Sequence, residues 1–522
     1  MTIKKTDKTV FTDDDIIDFV VDYRSRDVPV LERYWEYYKG KDSAIMERQT
    51  PDPNNPDNKV PVPYARKIVS TYSGYAYRPK YITYRPKKNE TDMEDEVALG
   101  EGMDTEAEEI AAEMSAEDMY VKELQDIFDK NSEHIKTSRA GRNTAIFGVS
   151  YEILYAEAEA ATEKERQENP RMLIKAMPRF ITVDPREMVL IYDYSPEPRK
   201  VMGIRFQKVD SNTTRLEIYQ KDKVTTCNMV SDQSNPGKYR LVDKMDSKNF
   251  YDDVPIVAYY LNDEIDSIFA CVIPLIDAND VLFSDSMNEM DRFAYAYLVM
   301  KKFGLTDPTI KKEPGKFAQM LQLLKRRRVF EFLPADADIK FLTKDIPTGF
   351  IEFMAKQLRE QIHVQSHVPD FTSEKFAAGI SGEAIKRLLF DFENLVATAE
   401  ADFDEGLYDR IRLISGVLTK LGRSGGSYDM VVIDHKRNMP LNLKEYADSA
   451  TAMRGAGFSM KTVLENMPDD MIPDVDEELR RQEIERQKNL EAMNPYFGYE
   501  DTVDDEGNAA EGEGEEDMEG IV

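Results

Sequence analysis

The stretch that most constrains the fold runs from Pro274 to Lys301, PLIDANDVLFSDSMNEMDRFAYAYLVMK. Its spacing predicts one long helix. Pro274 falls in the first turn, where its missing N–H would have no helical partner anyway. A helix continuing to Met300 would be about 40 Å long. Leu275, Asn279, Leu282, Ser286, Met290, Phe293, Tyr297 and Met300 form one row; Ile276, Phe283, Met287, Ala294 and Leu298 form another. Asp277, Asp280, Asp285, Asn288 and Asp291 break both rows, which implies a helix gripped from more than one side. Periodicity reports burial, so a plain core helix satisfies the same pattern.

The 522 residues allow several domains or one body with appendages. The 99 acidic and 69 basic side chains leave a net charge of −30, and the surplus is concentrated. Glu90–Asp118 holds thirteen carboxylates and Glu500–Glu519 eleven, neither with a Lys or Arg. Such blocks are expected to stay solvated through self-repulsion. The rest is nearly balanced. Two cysteines, Cys227 and Cys271, are too few for a disulfide framework and fit a reducing compartment. The N-terminal residues show no apolar signal core, and no run of 18 apolar residues exists. A soluble intracellular protein is the expectation.

Along the chain, Thr12 and Asp13–Asp15 predict a capped helix burying Ile16, Phe19, Val20 and Tyr23. A second helix carries Val30, Tyr34, Trp35 and Tyr38 and stops at Gly40. A third presents Tyr64, Ile68, Tyr72 and Tyr75. PKYITYRP alternates like a strand. A helix is expected from about Ala116 to Thr137. From Phe147 to Leu261 the period changes to two: VSYEILYA, RFITVDP, EMVLIYDY, MGIRFQKV, TRLEIYQKDKVTT, YRLVDK and PIVAYYL read as a mostly antiparallel β region. After the long helix, Leu305 to about Asp345 is a compact insert with a short helix (Lys316–Leu324), the basic run Lys325-Arg326-Arg327-Arg328, and two strands, VFEFL and DIKFL. Lys301–Asp345 holds eleven bases against six acids. Thr348–Val364 is helical and His363–Gly382 reads as loop. A second long helix runs from a Ser381 cap to about Leu421, followed by the strand YDMVVID. Short helices (Leu443–Gly455, Ser459–Asn466, Val475 to about Leu490) precede the acidic tail.

Signs of catalysis are few. No GxxxxGK[ST] or GxGxxG motif is present. His363 and His367 stand at i,i+4, but the glutamate of HExxH is missing and Pro369 follows. A basic run such as Lys325–Arg328 can meet phosphate or an acidic partner, or be a solvated face. Scattered carboxylates leave a metal-dependent nuclease open as an alternative.

Taken in order, several stretches carry a likeness: YYKGKDSAIMERQ; ARKIVSTYSGYAYRPKYITY; ITVDPREMVLIYD; VPIVAYYLN leading into VIPLIDANDVLFSDSMNEMDRFAYAYLVMK; SHVPDFTSEKFAAGISGEAIKRLLFDFENL with EADFDEGLYDRIRLI; and NMPLNLKEYADSATAMRGAGFSMKTVLENMP. The set resembles the portal proteins of tailed bacteriophages, in the branch typical of long, flexible-tailed phages, over most of residues 30–490. The resemblance implies an α+β, mainly helical portal-type fold. It would comprise N-terminal helices and a mixed β wing (1–271), a first stem helix (272–300), a clip (301–347) and a second stem helix (348–364). A tunnel loop (365–380), a long wing helix and strand (381–439), a crown (440–493) and the acidic tail (494–522) would follow. The stem would carry Leu282, Met290, Phe293 and Tyr297. The tunnel loop would present Asp370, Thr372, Ser373, Glu374 and Lys375 to DNA. The clip would use Lys325, Arg326, Arg327 and Arg328 on a partner.

The implied function is a ring, usually of twelve subunits, at one capsid vertex of the virion. Double-stranded DNA would pass through it without sequence readout. Terminase large subunit, head-completion or adaptor proteins, major capsid protein and scaffold are the implied partners, with assembly in the host cytoplasm. No enzyme activity, cofactor, metal or membrane is implied. Another oligomeric head or neck component is the remaining structural alternative. Neither acidic block matches the family pattern.

Overall fold

The computed structural model describes residues 3–41, 43–49, 56–87, 116–160, 174–232, 237–294, 297–301, 338–342, 348–373, 376, 382–423, 426–437, 443–467, 471–472 and 475–493. The chain divides into two compact units, Met1–Met439 and Pro440–Val522. Most of the acidic segment 90–118, the tail, the helix expected at Lys316–Leu324, VFEFL and Ser381 lie outside the described residues.

The first unit opens with a short strand, β1 (Lys4–Lys5), then α1 (Asp13–Arg26). Thr12 Oγ1 accepts from Asp15 N at 3.3 Å and Asp15 Oδ2 accepts from Thr12 N at 2.9 Å, a reciprocal capping box. Ile16, Ile17, Val20 and Tyr23 are its buried face, with Phe19 only partly covered. α2 (Val28–Lys39) ends where Gly40 takes φ 71°, a left-handed stop that suits glycine. Its buried row is Leu31, Tyr34 and Tyr37, one step round from the expected Val30, Trp35 and Tyr38. Trp35 instead stacks on Tyr38 and Phe147 and carries Lys39 and Arg186 over its ring, so its faces are used while its edge is not sealed. α3 (Ser43–Glu47), α4 (Tyr64–Ala76) and β2 (Ile82–Pro86) follow.

Where one helix was expected to Thr137, two occur: α5 (Ala116–Asn131) and α6 (Glu133–Phe147). Ser132 adopts φ 51° between them, and Asn131 Nδ2 donates to Ile127 O and Pro178 O, which ends the first helix. The β region is as its alternation requires. β3 (Val149–Ala160) and β4 (Ile174–Val183) pair, as do β5 (Met188–Tyr192), β6 (Lys200–Lys208), β7 (Thr213–Tyr219), β8 (Lys223–Ser231) and β9 (Tyr239–Lys248) in turn; β10 (Ile256–Tyr260) returns to β3. The sheets are β1-β5-β6-β7-β8-β9, antiparallel apart from β1 on β5, and an antiparallel β10-β3-β4. Val149, Tyr151 and Ile153 meet Met188, Leu190 and Ile256 in a small core, while Leu154 and Phe180 join the large one.

The long helix is shorter than its sequence suggested. α7 spans Ile273–Ala294, and Tyr297–Lys301 is a strand, β11, antiparallel to β12 (Asp338–Leu342) with Tyr297 opposite Leu342. YLVMK satisfies a helical row and a strand equally; the pairing with DIKFL, remote in sequence, decides for the strand. Tyr297 is therefore not a helical residue, whereas Leu282, Met290 and Phe293 are. α8 (Thr348–Gln365) takes in His363, so the loop begins later than expected. α9 (Gly382–Lys420) buries Leu389, Phe392, Phe403, Leu407, Ile411 and Ile414 but leaves Leu388 outside. At Gly406 an added Cβ would lie 2.4 Å from the Tyr259 ring, so α9 lies flush on β10. β13 (Val431–His435) pairs with β2.

In the second unit, α10 (Leu443–Gly455) packs on α11 (Met460–Glu465), and α11 on α12 (Val475–Met493). Ser459 Oγ caps α11 by accepting from Thr462 N at 3.2 Å, and Val463, Leu464 and Met467 are buried.

Candidate functional site

Of the expected loop residues, Asp370, Thr372 and Ser373 are described, in the turn after α8. His367 takes φ 55° just beyond the helix, so His363 and His367 do not share a helical face. His363 Nδ1 lies 2.9 Å from Val368 O, and its Nε2 is 3.9 Å from Asp370. Burial pushes this imidazole down, toward the neutral form. Asp370 is the knot. Its carboxylate accepts from Lys67 Nζ on α4 at 2.7 Å, from Arg359 Nε on α8 at 2.7 Å, and from Thr372 N and Oγ1 at 3.1 and 2.6 Å. Arg359 Nη2 also donates to Thr372 Oγ1 at 2.6 Å. Burial works against the charge, but the bonds from Lys67, Thr372 and Arg359 outweigh it and hold the carboxyl well below the usual range.

Asp370 thus roots the loop: two cations from two helices and one hydroxyl fix it. Ser373 N donates to Asp370 O and Phe376 N to Ser373 O, continuing the turn. Glu374, Lys375 and Lys325–Arg328 lie outside the described residues. On α7, Leu282 is half-buried and Met290 exposed. The loop residues, the basic run and the stem residues are thus not shown gathered into one site.

The aspartates that broke the apolar rows of α7 have a defined task. Residues 58–62 run extended along the helix. Val62 N donates to Asp280 Oδ1 (2.9 Å), Val60 N to Ser284 Oγ (3.0 Å) and Asn58 N to Asn288 Oδ1 (2.7 Å). Asn58 Nδ2 reaches Asp291 Oδ2 at 2.6 Å, Tyr37 OH reaches Asp277 Oδ1 at 2.5 Å, and Arg48 pairs with Asp285 at 2.8 Å. Alternate residues of an extended chain advance about 6.7 Å and four helical residues about 6 Å, so donors and acceptors stay in step.

A second polar centre was missed from sequence. Arg410, fully buried on α9, donates from Nε and Nη2 to Glu152 on β3 (2.8 and 3.0 Å) and from Nη1 to Glu133 on α6 (2.9 Å) and to Thr137 (2.9 Å). Tyr84 OH and Tyr259 OH donate to the same carboxylates. Its position on the apolar stripe, between Leu407 and Ile411, was the available signal. Burial pushes the Glu152 carboxyl up against the pull of Arg410. Sealed from solvent, the centre holds structure and offers no access to a substrate.

A groove of ≈ 870 Å³ between α2, the 261–274 segment, the end of α8 and the middle of α9 contains Cys271 and His367. Burial pushes the Cys271 thiol up, the wrong direction for a nucleophile. Among the described residues, no group of three or more His, Cys, Asp or Glu is placed to hold a metal ion. Among them too, no helix is long and apolar enough to cross a membrane.

The description "Phage portal protein, SPP1 Gp6-like" belongs to a family whose model matches residues 17–492. No curated protein matches the sequence. A solved chain titled "Neck of empty GTA particle computed with C6 symmetry" aligns over 71% of this chain and 97% of its own, at 12% identity and a TM-score of 0.35. A likeness at that level carries no argument about this fold. The family match spans both units and nearly all their described elements, and on it the chain belongs to the SPP1 Gp6-like phage portal protein family.

Proposed function

We propose that this structural component of the phage particle assembles as a ring, of about twelve subunits, at one capsid vertex, and that DNA enters and leaves through it. The family match over residues 17–492 carries this reading. The described first unit supports it in one respect. A wall that passes a polyanion must not hold it, and a strongly basic surface would bind DNA through counterion release. Here the two acidic blocks are set against a body of nearly balanced charge, and the Asp370 carboxylate at the loop root pairs with both Lys67 and Arg359. The loop that follows Asp370, with Thr372, Ser373, Glu374 and Lys375, faces the passing duplex. The insert's Lys325–Arg328 docks acidic groups on the terminase large subunit or on head-completion proteins. Capsid and scaffold proteins meet the ring during assembly in the host cytoplasm.

Negative-stain microscopy of the purified protein tests the ring directly. End-on classes with a central hole wide enough for duplex DNA are the expected result. Compact particles without a hole, in the presence of scaffold and capsid protein, would overturn it. Reversing Lys325–Arg328 to Glu should leave rings intact and abolish packaging. Magnesium-dependent cleavage of plasmid by the pure protein would instead favour a nuclease.

A further inference from the structure

The last described residues of the first unit, 435–437, are fastened to α9 by an unusual arrangement of charge. Glu393, Glu400 and Asp404 lie along one face of that helix at spacings of seven and four. Against them come His435 and Arg437, two residues apart and therefore on one face of an extended chain. Arg437 donates from Nη1 and Nη2 to Glu400 (2.5 and 2.6 Å) and from Nε to Glu393 (3.1 Å). His435 Nε2 lies 2.8 Å from Asp404 Oδ1, and its Nδ1 lies 3.4 Å from Glu400 Oε1 with no other polar partner, although buried. A neutral imidazole has one N–H and can serve one of these carboxylates; an imidazolium serves both. The site is closed from the α4 side by Tyr72, Tyr75 and Tyr77. Tyr75 donates to Glu393, and none of the three phenols titrates near neutrality. Tyr408 stands further along α9, Asp434 is paired with Arg85 on β2, and Lys436 N donates to Tyr81 O.

We propose that His435, Asp404, Glu400 and Arg437 form a proton-operated latch that sets how firmly residues 435–437, the segment leading out of the first unit, are held to α9. With the proton bound, two cations face three carboxylates and the segment is tied at both ends. Without it, one arginine faces three carboxylates, the Glu400 side of His435 is left without a donor, and the segment loosens. Burial opposes the charge on His435, but the bond to Asp404 and the fields of Asp404 and Glu400 outweigh it and raise the imidazole above its ordinary value. Burial also pushes Glu400 up, so the proton belongs to the pair. A raised folded value means that the latch acts in full below the ordinary histidine range, near 6.5, and is lost as pH rises through the folded value.

The latch does not depend on the portal reading, because it lies within one chain. Two measurements on the full-length protein test it. Slow exchange of the imidazole C2–H, followed by mass spectrometry from pH 5 to 9, reports each histidine separately. The midpoint of His435 should lie above 6.5 and that of His363, where burial outweighs the Asp370 carboxylate 3.9 Å away, below it; a His435 midpoint at or below 6.5 overturns the proposal. Amide exchange across residues 433–437, corrected for the intrinsic rate and read at Lys436, should show protection falling by about tenfold per pH unit through the titration. H435Q should remove that pH dependence and sit at the loosened level. If H435Q does not fold, D404N keeps the imidazole and should shift the midpoint down. Protection in the folded wild type that does not change with pH, or an unshifted D404N midpoint, excludes the latch.

Discussion

The two helices α7 and α9 look alike in sequence, and the molecule uses them in opposite ways. α9 buries an apolar stripe, Leu389 through Leu418, each large side chain contributing about 1.5–3 kcal/mol by leaving water, interrupted by Glu400, Arg410 and Ser415. The middle of α7 buries Asn279, Asp280, Ser284 and Asn288. The difference lies in the partner. α9 packs on side chains of a sheet and of other helices. α7 is met by an extended strap, Asn58–Val62, whose N–H groups have no neighbouring strand. A buried N–H without an acceptor is costly, so the helix supplies acceptors once per turn. Asn58, Val60 and Val62 turn their N–H groups to α7, while Pro61 and Pro63, of the opposite parity, lack N–H groups and reduce the donors to satisfy on the far side.

The most damaging single change is expected in α9. Arg410→Ala should destabilise the first unit by about 3–5 kcal/mol, because Glu133 and Glu152 would be left buried without their cation. Denaturant midpoints measure it. Adding Glu133→Gln and Glu152→Gln should recover at least half of the loss; no recovery would mean that packing, not charge, dominates. On α7 the expected loss is smaller. Ser284→Val removes the acceptor of Val60 N and should cost about 1–3 kcal/mol. Amide exchange at Val60 should accelerate while the apolar stripe of α9 stays protected. Equal acceleration in both would dissolve the distinction between them. The smallest effect is expected at the loop root, where Lys67 and Arg359 are partly solvated. Asp370→Asn should lower stability at neutral pH by about 1–2 kcal/mol, since the stabilised charge is lost but its two cations are partly solvated. Its signature lies in acid. A carboxyl held below its ordinary value contributes above that value and is lost as pH falls, so the wild type's acid limb should be steeper than the variant's.

Local period made much of the architecture legible in the sequence. Thr12 and Asp15 announced the box that starts α1, Gly40 the left-handed stop of α2, and strict alternation the strands from Val149 to Tyr260. The failures are contacts set elsewhere in the chain. Tyr297–Lys301 turned from helix to strand because DIKFL pairs with it. Ser132 divided a continuous helical pattern by its left-handed backbone. Asp370 was legible as a loop residue, but Lys67, three hundred residues upstream, was not legible as its partner. Arg410 interrupted an apolar stripe visibly, yet its carboxylates come from a different helix and a strand.

The pairing of β2 with β13 has a consequence in time. Arg85 and Asp434, bonded across it, are 349 residues apart in the chain. On a ribosome adding roughly 5–20 residues per second, β2 emerges about 17 to 70 seconds before its mate. Throughout that interval the chain has an unpaired strand, ITYRP, as an open edge. Arg85 and the closing Pro86 are what it has to discourage a wrong neighbour, one by charge and the other by offering no N–H. The nascent protein therefore completes this small sheet only when the long helix has already been made, and a chain released before residue 431 keeps a sticky edge that the finished molecule never shows.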